Sequence, residues 1–155
     1  MQSICKKMKI MKYSHRFRVH ASLAKVAEFH SRSASMPTIT PPPIIVRVQR
    51  APAVLAEGDE MDFTMWLGPL PLRWLARIEA VSPNGFSDRQ LLGPFAEWVH
   101  RHSFIMVNEQ ATDVFDEIIL NLRNHPFLWS IGLGMRLGMP FLFAYRGWKT
   151  KRMLE

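Results

Sequence analysis

Between positions 72 and 80 the chain alternates: Leu72, Trp74, Ala76, Ile78 and Ala80 are apolar, and Arg73, Arg77 and Glu79 fall between them. A period of two belongs to a strand with one face buried and one in water, so the apolar set is predicted to point inward and the arginines outward. The same parity puts Met61, Phe63, Met65 and Leu67 on the inner face of a strand over 60–67. It puts Val114, Asp116, Ile118, Leu120 and Leu122 on one face of a strand over 112–122. Further strands are predicted over 13–20, 44–50, 86–92 and 95–108. Turn residues punctuate them. Gly68-Pro69-Leu70-Pro71 and Gly93-Pro94 mark reversals, Ser82-Pro83-Asn84-Gly85 carries the Pro and Asn-Gly that a tight turn needs, and a last turn falls at 108–111.

Two helices interrupt the strands. Ser22 is placed to cap a short helix through Leu23, Val26, Ala27, Phe29 and His30, and the Ser-, Thr- and Pro-rich segment 31–43 reads as a turn or short helical remnant with an extended exit. From Pro126 the period changes: Leu128, Ile131, Met135, Met139 and Leu142 recur at helical spacing to the end of a segment over 126–154, with cations in its last turns. The sum is an α+β chain whose antiparallel sheet curls around a long C-terminal helix. Residues 127–145 hold a single charge, Arg136, and Gly134 and Gly138 form a GxxxG pair, so a membrane span has to be weighed. The charge in mid-segment, the interruption at Pro140 and the sheet's need for an apolar cover favour a buried helix instead. Gly132, Gly134 and Gly138 then point to close helix–sheet approach or to space left for a ligand, and Pro140 to a bend.

At 155 residues with 48% hydrophobic positions, the chain suits one domain with one core. Its net charge of +7 is concentrated at the ends, with Lys6, Lys7, Lys9 and Lys12 at the start and Arg146, Lys149, Lys151 and Arg152 at the finish. No sustained basic helix or recognition motif accompanies them, so nucleic acid is not an expected partner, while anionic lipid at the basic termini remains open to peripheral contact. Residues 1–12 read as a basic leader, frayed or an artefact of the start site, since Met8 or Met11 could begin the protein. That leaves 13–155 as the domain. The leader has no apolar core of a secretory signal, and the lone Cys5 allows no internal disulfide; both fit a cytoplasmic location. Oligomeric state leaves no mark on the sequence.

The segment from Gly85 to Phe104 is the most informative. Parity puts Phe86, Asp88 and Gln90 on one face of a strand, and Trp98, His100, His102 and Phe104 on one face of the next. The pattern F-x-D-x-Q-x-x-G-P-F-x-x-W-x-H-x-H-x-F, the order of elements and the closing FAYRGWKTKRML resemble the START-like (SRPBCC) superfamily, in particular small bacterial single-domain members. The likeness spans about 13–154. It implies a helix-grip fold with a lipophilic cavity between sheet and C-terminal helix, in a superfamily that includes polyketide cyclase/dehydrase-like, lipid-transfer and quinone-binding proteins. It carries over no particular activity.

Inside an apolar box, Asp88, Gln90, His100, His102 and Asp116 are the inward polar groups, and burying them unpaired would cost several kcal/mol. They can lock strands together as an Asp–His network. Alternatively, they can bind the oxygen of a ligand along with Trp74, Trp98, Met135 and Met139. A third option is that His100 or His102, oriented by Asp116 or Asp88, moves a proton in a cyclisation or dehydration. Non-catalytic binding or carriage of a small lipophilic molecule (lipid, quinone or polyketide-like), with entry near 31–43, is the favoured reading, and the enzyme is the alternative. A partner or membrane-surface module is the third. Two histidines and a distant carboxylate are a weak zinc signal, so no metal is expected; without a phosphate loop or cofactor motif, no cofactor is either. His15, His20, His30 and His125 are given no role.

Overall fold

A computed structural model describes residues 10–155 of the chain, so most of the basic leader lies outside the described residues. In chain order the elements are β1 (Met11–Val19), α1 (Leu23–Ser31), α2 (Ser35–Thr38), β2 (Ile45–Arg50), β3 (Glu60–Leu67), β4 (Leu70–Ser82), β5 (Gly85–Leu92), β6 (Phe95–Asn108), β7 (Ala111–Leu122) and α3 (Pro126–Leu154). Met11 and Lys12 already pair with Leu120 and Ile119, so β1 begins two residues before the strand predicted over 13–20.

The seven strands form one antiparallel sheet in the order β1-β7-β6-β5-β4-β3-β2. From β2 to β7 each strand pairs with its chain neighbour, through two-residue turns everywhere but the longer β2–β3 loop over 51–59. The α1–α2 segment carries the chain from one sheet edge to the other. Ser22 caps α1 by accepting the Lys25 N–H at 3.3 Å. The outer face is polar and cross-strand paired: Arg73 with Asp62, Arg77 with Glu60, and Arg89 with Glu79. Asp113, buried beneath Arg16 and Arg18, accepts from both.

The inner face packs on α3. Phe63, Trp74, Ile78, Phe95, Trp98, Ile118 and Leu120 meet Met139 and Phe143 from the helix in one apolar cluster. A second cluster, around Val26 and Phe104, seats α1 under β6 and β7. The parity expected of β4 breaks at its end. Ala80 is exposed, because the β4–β5 register shifts between Glu79 and Ser82 and Ala80 takes φ 54°, turning its side chain off the inner face.

The prediction for α3 is half right. Gly132 sits where a Cβ would lie 2.8 Å from Leu122 and 3.2 Å from Phe95, and Gly147, which drew no attention in the sequence, lies as close to Phe17, at 3.1 Å. These two let the helix approach the sheet. Gly134 and Gly138 meet nothing within 4 Å and face outward, so neither close approach nor ligand space explains them. Arg136 is held at the sheet edge, its guanidinium 5.3 Å from the Tyr13 ring centroid and donating to the Lys12 carbonyl at 3.3 Å. The outward stripe carries Phe127, Trp129, Leu137, Phe141 and Trp148 into solvent, with Leu137 71% and Phe141 64% exposed. The helix is therefore buried along one side only.

Candidate functional site

Cross-strand register assembles the polar cluster. Asp88 on β5 pairs with His100 on β6, and His102 pairs with Asp116 on β7; all four project from the inner face. Each ring then faces both carboxylates. His100 Nε2 donates to Asp116 Oδ1 at 3.0 Å, and its Nδ1 is 3.3 Å from Asp88 Oδ2. His102 Nε2 donates to Asp88 Oδ2 at 3.3 Å, while its Nδ1 lies 3.0 Å from Asp116 Oδ1 but off the line of a hydrogen bond. The two rings are 3.9 Å apart, and Phe86 stacks against His102 at 4.5 Å.

The electrostatics follow from this geometry. Burial alone would raise the Asp88 and Asp116 carboxyls, but the charge and hydrogen bonds of the two histidines outweigh it and hold both well below the ordinary carboxylate range. Burial likewise opposes the charge on His102, and the contacts with Asp116 and Asp88 overcome it, pushing the ring up to about 9. His102 is thus an imidazolium at neutral pH, flanked by two carboxylates.

Next to this cluster lies a cavity of about 120 Å³ between the sheet and α3. Its walls are mainly apolar, with Met61, Phe63, Met65, Trp74, Ala76 and Ile78 from β3 and β4 and Trp98 from β6. Met135, Leu142 and Phe143 come from α3, and Met36 and Ile39 from the α1–α2 segment and its exit. Trp74 stands edge-on to Trp98 at 5.2 Å and stacks on Phe63 at 5.8 Å, which fixes the orientation of this wall. Asp88, His100 and His102 give the cavity one polar end. Their ligand atoms lie within 4.8 Å of one another, the spread of a metal-binding triad, yet the same atoms already serve the ion pairs and hydrogen bonds inside the cluster.

Of the residues singled out in the sequence, Asp88, Trp74, Trp98, His100, His102 and Met135 reach the cavity wall. Asp116 stands behind the histidines. Met139 is packed in the core, and Gln90 is elsewhere: its amide donates to the Phe95 carbonyl at 2.9 Å and accepts the Phe95 N–H at 3.2 Å. An amide three residues before a Gly-Pro reversal can curl back to satisfy the turn's backbone, and parity does not register this.

Two groups were missed. His30 on α1 lines the cavity, its ring 6.2 Å from His102, and its Nδ1–H donates to the Val26 carbonyl at 2.9 Å. Burial, then the neighbouring His102, pushes it down to about 4, so it is neutral at pH 7. Arg146 lines the cavity from α3. The series Met135, Met139, Leu142 continues at helical spacing to position 146, a signal that was present in the sequence but hidden by grouping Arg146 with the basic tail.

No family model and no curated protein matches the chain. Solved structures do. The Zhui aromatase/cyclase from Streptomyces sp. R1128 superposes with a TM-score of 0.69 at 14% identity, covering 94% of this chain and 96% of that one. Norcoclaurine synthase from Thalictrum flavum gives 0.68 at 11% identity with 96% of each chain covered. A START superfamily protein from Mycobacterium smegmatis gives 0.66 at 11% identity, over 92% of this chain and 96% of that one. A seven-stranded antiparallel sheet curled around a long C-terminal helix, superposing on these proteins over nearly its whole length, is the helix-grip arrangement, and the protein has the START-like fold.

Proposed function

We propose that the protein binds or carries a small lipophilic molecule in the cavity between sheet and α3. The observation that carries this reading is an apolar wall, rigidified by stacked aromatics, that ends in a few convergent polar groups at Asp88, His100 and His102. The α1–α2 segment, with Met36 and Ile39 on the wall, forms the mouth. A START superfamily protein and a norcoclaurine synthase in complex with dopamine and hydroxybenzaldehyde share the fold, which suits a ligand of this size and character. The cluster's hydrogen bonds are made among its own members, which favours binding over proton-transfer catalysis of the cyclase or dehydratase kind.

Ala76 lines the cavity from β4 and is 3% exposed, so a larger side chain there must project into the ligand's space. Native mass spectrometry of freshly purified protein should show a stoichiometric lipophilic adduct. In Ala76→Leu that adduct should fall by about tenfold or more in occupancy, while the melting temperature holds or rises as the void is filled. Full occupancy in the variant would place the ligand elsewhere.

A specific feature favours peripheral membrane contact as a second property. The outward stripe of α3 is apolar from Phe127 to Trp148, and its C-terminal turns carry Lys149, Lys151 and Arg152. Residues 126–154 contain no acidic residue. Apolar and aromatic side chains bordered by cations suit the interface of an anionic bilayer, and the like charges disfavour a second copy. Co-sedimentation with phosphatidylglycerol-containing vesicles is expected, weakening with salt. The exposed double change Leu137→Glu/Phe141→Glu should abolish it without unfolding. Equal sedimentation of variant and parent would sink this reading.

A further inference from the structure

Arg146 is the one strongly basic side chain that α3 turns into the cavity, and its surroundings do not account for it. Its Nε is fully buried without a hydrogen-bond partner, and among the described residues no carboxylate lies within ion-pair distance of the guanidinium. Its Cζ lies over the Phe143 ring, 5.4 Å from the centroid, a cation–π contact that holds the guanidinium beside the cavity wall. Other charges around the cavity are already engaged. Asp88 and Asp116 serve the two histidines, and Arg32 at the mouth pairs with Glu28. His30 is bonded to the Val26 carbonyl.

A half-buried guanidinium whose Nε is out of water and without a partner is costly unless an anion or ordered water completes it, and its planar fork matches a carboxylate through two parallel N–H···O bonds. We propose that Arg146 recognises a carboxylate on the bound lipophilic molecule, so that the cavity selects amphiphilic acids over their neutral counterparts. This rests on the binding reading above. Burial draws the Arg146 pKa down from its ordinary value and the fields of Asp116 and Asp88 push it back, and an arginine so placed keeps its charge at neutral pH. The apolar remainder of the ligand would lie along Phe63, Trp74 and Trp98, with its acid end on α3.

The test is calorimetric titration with naphthalene-2-carboxylate and with 2-acetylnaphthalene, which replaces the carboxylate by an uncharged group of nearly the same shape. The protein should prefer the carboxylate by about tenfold or more, the worth of a charge-assisted bidentate pair. Arg146→Met should erase the preference by weakening only the carboxylate, and Arg146→Lys should restore part of it. Equal binding of the two compounds by the unaltered protein, or a preference that survives in Arg146→Met, would overturn the proposal while leaving the cavity reading intact. Should Arg146→Met fail to fold, Arg146→Lys decides: an undiminished preference there rejects the fork. Failure of both compounds to bind the unaltered protein would remove the binding reading and the proposal together.

Discussion

Replacing Asp116 by alanine is expected to destabilise the protein by about 3–5 kcal/mol at neutral pH, the scale for removing one member of a buried charged pair. The carboxylate stands between two rings, 3.0 Å from His100 Nε2 and 3.0 Å from His102 Nδ1, and all three groups are largely out of water. Without it, His102 keeps only Asp88 as a counter-charge and His100 loses its best-aligned acceptor. Urea unfolding at several pH values checks both the size of the loss and its origin. His102 binds its proton more tightly folded than unfolded, with its pKa raised from 6.5 to about 9. Its stabilisation is therefore complete below pH 6.5 and lost as pH rises through about 9. His30 does the reverse: held neutral, with its pKa pushed down to about 4, it withdraws stability as pH falls from 6.5 toward 4. The depressed carboxyls of Asp88 and Asp116 extend that loss further into acid. The parent protein should be most stable near pH 6.5. Asp116→Ala should lose most of the alkaline limb and retain the His30 portion of the acid one. A loss below about 1 kcal/mol with an unchanged pH profile would mean that the cluster contributes little to the fold.

The periodicity that made the strands legible also made this cluster legible. Alternation in β5, β6 and β7 put Asp88, His100, His102 and Asp116 on one face, and antiparallel pairing of chain neighbours did the rest. What parity could not see were events that break it. The bulge at Ala80 turns an apparently inward residue out, and Gln90 spends its amide on a turn that its own strand enters. Orientation of α3 was illegible for a different reason. A helix apolar on nearly every side carries no stripe to mark which face is buried, so Gly134 and Gly138 looked as suited to the interior as Gly132, and Gly147 drew no attention. Arg146 escaped because a cation near a helix C-terminus has a sufficient local explanation in the macrodipole, so the helical spacing that carries Met135, Met139 and Leu142 on to position 146 went unread.

The largest effect expected from a single methyl group is at Gly85, where β5 leaves the Asn84-Gly85 turn. Its φ of 144° is in a region that side chains rarely adopt, and a Cβ there would lie 1.9 Å from the carbonyl oxygen of His102 and 2.9 Å from its carbonyl carbon. Both obstacles are backbone atoms of β6, so no rotamer change relieves them. Either the turn opens or β6 moves, and the residue that moves is one of the two histidines of the cluster. Gly85→Ala should therefore lower stability by about 3–5 kcal/mol, combining backbone strain with overpacking, and should shift the His102 ring resonances in NMR spectra. Gly68→Ala is the control. That glycine also has positive φ, 59°, but its Cβ would meet nothing within 4 Å, so only the conformational cost of about 1–2 kcal/mol applies. If the two variants proved equally stable, the close approach of β5 to the His102 backbone would be wrong.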